Sequence, residues 1–367
     1  MKIALLSPFA ASLGGVSTYA VQLSGAYRRH GHETLVLSPD LPLGDPGRLP
    51  AGRLSRWLSL LIKLQKFKPD IVHINSQVNM VLPVLAYRLV NRNAKLIFAF
   101  LTQPQPFIPP GLEHARAARP SYAGMRKIIA QYLLSKCTVV TAVADSLFSN
   151  LERTGGMRFP RRKTVPCAME FTQQPDAKQC KELFGVAGCA PVLSTIGNLA
   201  WDWKVAGHKM CIEAMPGIIA EYPNAVLLVV GGGKSEYADY LAAIVKNLGL
   251  GKNVFLVGPV SGTAQVLAAS DVYLHMAAYE ASPLSLLEAM SFEKPVVGVN
   301  AGGVPESINH NVTGILVPPD PGALTQAVLE LLRKPEMAKT LGKNASEYVR
   351  KERNWDMVVK QFISAVQ

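Results

Sequence analysis

The chain has 367 residues, of which 49% are hydrophobic and 17% charged, with a formal net charge of +12. This length suits about two domains of roughly 150 residues, each able to bury a core, and the ordinary composition excludes collagen-like, coiled-coil and disordered chains. No apolar run reaches the roughly 18–20 residues that a membrane span needs. The five cysteines are scattered and form no CxxC pair, so we expect neither a disulfide framework nor a zinc site, and a reducing, cytoplasmic location.

The first half alternates short apolar runs with segments of helical spacing. Lys2–Ser7 predicts a first strand, and Gly14-Gly15 joins it to a helix over Val16–Arg29. In chain order, the further strands are predicted over Thr34–Ser38, Asp70–Asn75, Lys95–Phe100 and Thr138–Ala144, and the further helices over 53–68, 121–136 and 146–153. Such alternation is typical of a parallel sheet with helices on both faces.

The same pattern then restarts in the second half. Strands are predicted over Val192–Ile196, Ala225–Val230, Val254–Val257, Val272–Met276, Pro295–Val299 and Gly314–Val317. Helices are predicted between and after them, over 207–221, 234–248, 263–269, 283–292, 304–309, 321–333 and 336–366. We therefore expect an α/β protein of two Rossmann-like domains facing across a cleft, over 1–170 and 171–345, with 346–367 packing back on the first domain. Ligands of such sheets bind at the carboxyl ends of the strands.

The densest chemical signal is the segment 279–290, YEASPLSLLEAM, which follows a predicted buried strand. Pro283 suits the first turn of a helix and not its interior, so the helix should begin near Ser282. The free N–H groups of about 284–286 and the positive helix end would then favour an anion such as a diphosphate. Glu280 precedes this helix and Glu288 lies about two turns further, where a carboxylate could accept hydrogen bonds from a bound polyol. The alternative is a capped core helix with two exposed glutamates.

Three more glycine loops follow predicted strands. They are Gly14-Gly15, Gly197-Asn198 with Lys204 and Lys209 downstream, and Gly302-Gly303 before Val304-Pro305-Glu306. One glycine pair is a weak signal, since most are turns, but glycines also permit close approach of backbone to a ligand. Their recurrence at strand ends indicates a phosphate-binding edge in both domains.

Taken together, Glu280-x7-Glu288, the GGVPE segment, the N-terminal Gly-Gly loop and Pro69–His73 resemble the family 4 retaining glycosyltransferases of the GT-B fold. The resemblance extends from residue 1 to about 360 and is strongest between 192 and 320. It implies transfer of a sugar from a nucleotide diphosphate to an acceptor with retention of anomeric configuration, without a metal or other cofactor. It further implies catalytic roles at the donor sugar and diphosphate for Glu280 and Lys204, and donor binding by Gly14, Gly15, Gly197, Asn198, Lys209, Val260, Ser282, Pro283, Leu284 and Glu288.

The sequence departs from the family pattern at several positions. Leu101 or Thr102 stands where many members carry a histidine that meets the donor sugar. Asn198 replaces an arginine that binds phosphate. The stretch between Lys204 and Gly207-His208 is two residues longer than usual, so Lys209 competes with Lys204 for the phosphate role. His73 ends a buried strand and is equally compatible with the core and with the cleft. The position of His275 within a strand favours core packing.

Charge is divided unevenly between the halves. Residues 1–172 carry 22 Lys and Arg against 8 Asp and Glu, whereas residues 173–367 carry 16 against 18.

Basic residues alternate with apolar ones over 53–68, where Trp57, Leu60, Leu61, Leu64 and Phe67 share one helical face. This face either packs on the sheet or lies at a membrane interface, and Arg116, Arg119, Arg126, Lys127 and Lys136 add charge to the same domain. The charge favours a lipid-linked or anionic acceptor at the cytoplasmic face of the membrane, and the acceptor class predicted is a glycan or a lipid-linked molecule. A solubilising surface is the alternative, and nucleic acid is not expected.

The function predicted from the sequence is therefore a hexosyltransferase that uses a UDP- or GDP-linked sugar, as in polysaccharide biosynthesis. A nucleotide-sugar 2-epimerase shares the architecture, but the Glu280–Glu288 spacing argues against it. A non-catalytic nucleotide-sugar binding protein is compatible with the departures at Leu101 and Asn198. A dinucleotide dehydrogenase is disfavoured because no GxGxxG follows the first strand.

Overall fold

The computed structural model of the chain describes residues 1–11, 14–102, 125–153 and 155–367. Its contacts divide into two units, Met1–Glu170 with Arg353–Gln367, and Phe171–Glu352. The return to the first unit was expected after residue 345. It comes after residue 352 because the helix Pro335–Glu352 stays with the second unit throughout its length.

The first unit contains a six-stranded parallel sheet in the order β2-β1-β3-β4-β5-β6. The strands are β1 (Lys2–Leu6), β2 (Glu33–Leu37), β3 (Ile71–Asn75), β4 (Lys95–Phe100), β5 (Val139–Ala142) and β6 (Arg162–Thr164). The helices are α1 (Gly15–Arg29), α2 (Arg53–Phe67), α3 (Val81–Val90), α4 (Met125–Ser135) and α5 (Asp145–Arg153). β3 is buried along its whole length, as expected for a parallel strand covered on both faces. Neither α3 nor β6 was predicted, and residues 121–124 of a predicted helix lie outside the described ranges.

The second unit repeats the architecture with a sheet ordered β12-β11-β10-β7-β8-β9, again parallel throughout. Its strands are β7 (Val192–Ile196), β8 (Val226–Val230), β9 (Val254–Gly258), β10 (Val272–His275), β11 (Val296–Val299) and β12 (Ile315–Val317). Its helices are α6 (Ala177–Leu183), α7 (Asp202–Ile219), α8 (Ser235–Asn247), α9 (Ala264–Ala269), α10 (Leu284–Ser291), α11 (Pro321–Arg333) and α12 (Pro335–Glu352). All six strands predicted here are present. The order of strands reverses between β7 and β10, which marks the usual ligand position of a doubly wound sheet.

Three helix predictions in this half need correction. The predicted helix at 304–309 is a single 3-10 turn over Val304–Glu306. α7 begins at Asp202 instead of residue 207, so Lys204 lies in its first turn. The helix predicted over 336–366 is two helices, α12 and α13 (Trp355–Ser364), because the Asn354 side chain caps a new helix by accepting from the Met357 N–H.

The predicted return of the C-terminal helix to the first domain is confirmed. The Trp355 ring lies 5.3 Å from that of Tyr19, and the Phe362 ring lies 4.6 Å from that of His73. Burying Trp355, Val358, Val359 and Phe362 stabilises this contact by roughly 1.5–3 kcal/mol per side chain. Among the described residues, none of the helices has the length and apolar content required to cross a membrane.

Candidate functional site

The switch point of the second sheet brings two loops of the predicted site together. β7 and β10 are neighbours, with Leu193 opposite Val272 and Ser194 opposite Tyr273. Gly197 follows β7 and the segment 276–280 follows β10, so both leave the sheet at the same edge. This edge is where an α/β sheet binds its ligand.

Lys204 and Glu280 meet at this edge in an ion pair. The Lys204 Nζ atom lies 2.7 Å from the Glu280 Oε1 atom, and the two side chains are 21% and 18% exposed. Burial raises the pKa of the Glu280 carboxyl, but the charge and hydrogen bond of Lys204 outweigh it and the pKa lies below its ordinary value. Glu280 is therefore ionised at neutral pH, and Lys204 supplies a cation whose other N–H donors can reach an anion.

The two histidines beside this pair are both neutral near pH 7. Burial lowers the pKa of His208 and of His275 to about 4. The Nε2 atom of His208 lies 2.9 Å from the Gly197 carbonyl oxygen, and because a carbonyl only accepts, Nε2 carries the proton. The Thr195 hydroxyl, 3.4 Å from Nδ1, can then donate to it. His208 lies inside α7 and ties that helix to the loop after β7.

His275 faces the same region from the end of β10. Its Nδ1 atom lies 3.4 Å from the Tyr273 hydroxyl, whereas its Nε2 atom is buried and has no hydrogen-bond partner among the described residues. Together with Lys204 and Glu280, His275 lines a cavity of about 10 Å³, which is room for about one water.

Glycines hold the Glu280 loop from two sides. A Cβ on Gly303 would lie 1.7 Å from the Ala281 carbonyl oxygen, and the Gly303 N–H donates to the Glu280 carbonyl oxygen at 2.7 Å. On the other side, a Cβ on Gly207 would lie 2.8 Å from the Ala277 nitrogen. The close approach predicted for Gly302-Gly303 is therefore to the backbone of the Glu280 loop, and it fixes the position of Glu280.

The helix predicted to begin near Ser282 begins two residues later, at Leu284. Pro283 is its N-cap, in an extended conformation, and not a residue of its first turn. The N–H groups of 284–286 have no acceptor within the helix, as predicted. Beside them, the Ser282 hydroxyl is buried with no hydrogen-bond partner among the described residues. The Ser285 hydroxyl instead donates to the Ile196 carbonyl oxygen at 3.2 Å.

Glu288 lies on α10 away from the ion pair and receives a hydrogen bond of 2.8 Å from the Thr263 hydroxyl. Burial raises the pKa of Glu288, and the Thr263 hydrogen bond opposes the shift only in part. Val260, three residues before Thr263, packs against the core beside β8 and β9. Sequence reasoning did not single out Thr263, because a lone threonine before a helix carries no distinctive signal.

Two predicted donor residues near β7 have other surroundings. The Lys209 ammonium pairs with Glu213 one turn along α7, at 2.7 Å, and Lys209 does not line the cavity that Lys204 lines. The Asn198 Oδ1 atom is buried and accepts no hydrogen bond from any described residue. Of the two competing lysines, only Lys204 is brought to Glu280.

An aromatic group beside the ion pair was not anticipated. The Trp201 and Trp203 rings stack at 5.1 Å, and Trp203 meets Tyr279 edge to face at 5.4 Å. The sequence WDWK at 201–204 contained the signal, since two tryptophans precede the lysine. These rings border the first turn of α7, and Trp201 is exposed.

The first-unit residues of the predicted site lie after β1 and β4. Gly14 caps α1 with φ at +143°, a backbone conformation that favours glycine, and a Cβ there would meet no described residue within 4 Å. Gly15 is the first residue of α1. Leu101 is buried and Thr102 exposed after β4. His73 belongs to the core of this unit, where its Nδ1 atom lies 3.1 Å from the Tyr27 hydroxyl.

Two family models match the chain in succession. The model described as Glycosyltransferase Family 4 matches residues 13–170, and the model described as Glycosyl transferases group 1 matches residues 191–348. Among curated relatives, N-acetyl-alpha-D-glucosaminyl L-malate synthase of Bacillus anthracis is 31% identical over 236 residues, covering 62% of this chain and 59% of that protein. A GDP-mannose-dependent alpha-(1-6)-phosphatidylinositol monomannoside mannosyltransferase of Mycolicibacterium smegmatis is 31% identical over 183 residues, covering 47% and 46%. The chain thus spans about half of the length of these relatives.

Among solved structures, sucrose-phosphate synthase from Thermosynechococcus elongatus superposes with a TM-score of 0.79 and 21% identity, covering 99% of this chain and 97% of that one. This likeness confirms the GT-B fold that the sequence predicts.

Proposed function

Given that this chain belongs to the family 4 (group 1) glycosyltransferases, we propose that it transfers a hexose or related sugar from a UDP- or GDP-linked donor to a glycan or lipid-linked acceptor. The observation that carries this proposal is the Lys204–Glu280 ion pair at the switch point of the second sheet. An ammonium and the first turn of α10 offer positive charge to a diphosphate, and the adjacent carboxylate offers hydrogen-bond acceptors to sugar hydroxyls.

The reaction proposed is substitution at the anomeric carbon with retention. The bond from this carbon to the diphosphate oxygen breaks as the bond to the acceptor oxygen forms, and the acceptor proton passes to the departing phosphate. Lys204 and the N–H groups of 284–286 stabilise the charge that develops on the leaving group. Ser282, with a buried hydroxyl that has no partner among the described residues, is a further donor to the diphosphate.

Glu288 would hold a ribose hydroxyl in this proposal, with Thr263 orienting its carboxylate. Val260 follows β9 and offers backbone to the base. Independence of a metal ion remains a prediction from the family resemblance. Within the described ranges, no group of three His, Cys, Asp or Glu side chains is placed to hold a metal.

The test is a screen of UDP- and GDP-sugars for thermal stabilisation and for slow donor hydrolysis. Lys204→Met and Glu280→Gln should abolish turnover while the chain remains folded. Lys246→Met, on an exposed position of α8, should turn over as the parent chain does. If no nucleotide sugar binds, the proposal fails; if donors bind but no sugar is transferred or hydrolysed, the chain is a binding protein. The anomeric proton coupling of a product would test retention.

We further propose that α2 binds an anionic membrane surface and that the chain encounters its acceptor there. The face of α2 predicted to be apolar is the one that packs on the unit, with Leu60 and Leu64 fully buried. A second stripe, Leu54, Leu58 and Ile62, is 80%, 61% and 61% exposed. These residues are spaced by four and share one helical face.

The same helix carries four basic residues, Arg53, Arg56, Lys63 and Lys66. The Arg56 and Lys63 side chains donate to backbone carbonyl oxygens of the loop before the helix. Each basic residue near an anionic surface contributes about 1 kcal/mol to binding. Arg116 and Arg119, which were predicted to add charge to the same domain, lie outside the described residues, as does the Arg126 side chain.

Sedimentation with phosphatidylglycerol vesicles tests the membrane proposal. The triple change Leu54→Gln, Leu58→Gln and Ile62→Gln should release the chain from the vesicles without lowering its stability, because the three side chains are exposed. The control is Leu183→Gln, which removes a leucine 67% exposed in the second unit. Undiminished sedimentation of the triple variant would exclude α2 as the contact.

A further inference from the structure

The first unit contains a basic cavity that the proposed transfer reaction does not use. It has a volume of about 420 Å³ and lies where β4 and β5 begin, lined by Lys95, the first residue of β4, and Thr138, which precedes β5. Gly14-Gly15 follows the carboxyl end of β1 in the same parallel sheet. The cavity is therefore at the opposite edge of that sheet from the predicted phosphate loop.

The lining of this cavity is strongly cationic. Eight of the described residues line it; none of these eight is acidic, and five are basic: Arg88, Arg92, Lys95, Lys136 and Arg161. The Arg92 and Lys95 side chains are exposed and form no hydrogen bond or ion pair with any residue that the structure describes. Five like charges around one cavity repel each other, and an anion in the cavity would relieve that repulsion.

Part of this charge has a structural role. One Arg88 nitrogen, Nη1, donates to the Lys136 carbonyl oxygen at 3.0 Å, and Arg161 Nη2 donates to the Ser135 carbonyl oxygen at 2.8 Å. These bonds cap the carboxyl end of α4. A guanidinium has five N–H donors, however, so each arginine keeps donors free for a ligand. In particular, the Arg88 Nε atom is buried and unpartnered within the described part of the chain.

The chemistry of the lining selects the class of anion. Guanidinium groups bind the oxygens of phosphate in bidentate geometry, and lysines add point charges. Burial raises the pKa of the Cys137 thiol at this cavity to about 12, in spite of the opposing effect of Arg88 and Arg161. No thiolate therefore balances the positive charge.

We propose that this cavity binds a phosphate-bearing group, either a free phosphate ester or the headgroup of an anionic lipid. The proposal does not depend on the transfer reaction, because none of these residues belongs to the predicted donor site.

The experiment titrates inorganic phosphate into the full chain by calorimetry at constant ionic strength, with chloride as the reference anion. A second arm measures sedimentation with phosphatidylcholine vesicles with and without phosphatidic acid. The variant is Arg92→Gln with Lys95→Gln, two exposed side chains whose loss should leave the fold intact. The control is Lys178→Gln with Lys252→Gln, which removes the same charge from exposed positions of the second unit. Lys204→Met is included to remove phosphate bound at the donor site.

We expect the Arg92/Lys95 variant to bind phosphate or phosphatidic acid about tenfold more weakly or worse, as for loss of charge-assisted hydrogen bonds. The Lys178/Lys252 control and Lys204→Met should keep this binding. If the Arg92/Lys95 variant loses binding of inorganic phosphate, the ligand is a soluble phosphate ester. If it loses only its sedimentation with phosphatidic acid vesicles, the ligand is a lipid headgroup. Equal weakening in the cavity variant and its charge-matched control, or no preference for phosphate over chloride, would overturn the proposal.

Discussion

Replacing Glu280 by glutamine tests the central pair of the candidate site. Two unit charges 2.7 Å apart attract by about 6 kcal/mol at an effective dielectric constant of about 20. Desolvation of two groups that are about four-fifths buried offsets most of this attraction. We therefore expect a net coupling between Lys204 and Glu280 of about 1.5–3 kcal/mol, the range of hydrogen bonds between charged groups.

A double-mutant cycle measures that coupling. Glu280→Gln, Lys204→Met and the double variant are unfolded in urea, with tryptophan fluorescence as the signal, since Trp201 and Trp203 lie beside the pair. The matched control is the cycle for Lys209 and Glu213, on the same helix and at the same distance, but 38% and 31% exposed. Because this second pair is a more exposed i,i+4 pair, its coupling should be about 0.5 kcal/mol or less.

The pH dependence supplies a second check on the same pair. The folded pKa of Glu280 lies below its unfolded value of about 4.3. Its stabilisation is therefore complete above that value and is lost as the pH falls through the folded pKa. The difference in unfolding free energy between the parent chain and Glu280→Gln should shrink in acid. Equal coupling energies in the two cycles would refute this account of the site. So would a difference in unfolding free energy between the parent chain and Glu280→Gln that stays unchanged in acid.

Three further predictions concern the surroundings of the pair. The pKa of Glu288 is raised in the fold, so its ionisation lowers the stability as the pH rises through that pKa. Glu288→Gln should therefore raise the melting temperature at pH 7, and it should also raise the KM for the nucleotide sugar. A lower melting temperature would contradict this prediction. Gly303→Ala would place a Cβ 1.7 Å from the Ala281 carbonyl oxygen, and the resulting displacement of this loop should lower kcat more than 10-fold. The control is Gly188→Ala, where a Cβ meets no described residue within 4 Å; an unchanged kcat in the Gly303 variant would contradict this prediction. Nitrogen NMR at pH 6 should show His208 neutral and protonated on Nε2, since its pKa is about 4, and a cationic ring would contradict the assigned hydrogen bond.

The sequence predicts most of the fold because parallel strands buried on both faces have a simple signature. β8, with the sequence VLLVV, is fully buried and could be placed from its composition. Two of the features that were missed, β6 and the break between α12 and α13, lack such a signal. β6 is three residues long and carries Arg162 and Lys163 at the edge of its sheet, and the two helices α12 and α13 share one continuous apolar pattern that only the Asn354 cap divides.

The candidate site was predicted at the level of loops, and less well at the level of side chains. Spacing and resemblance bring Lys204 and Glu280 to one edge, but helical phase does not show that Lys209, five residues further along α7, points instead to Glu213. His275 is buried, as its position in a predicted core strand leads us to expect. Its orphan Nε2 atom and its place beside Glu280 depend on the neighbouring strand, which local sequence does not encode.

The course of the chain after α12 has a consequence for its integrity. The first unit is completed by residues 353–367, so two covalent connections join the units, one after Glu170 and one after Glu352. Cleavage of the backbone near residue 171 would leave the last helix lodged beside Tyr19 and His73. The two fragments should therefore copurify after nicking, and separately expressed halves should reconstitute only if the second half retains that helix.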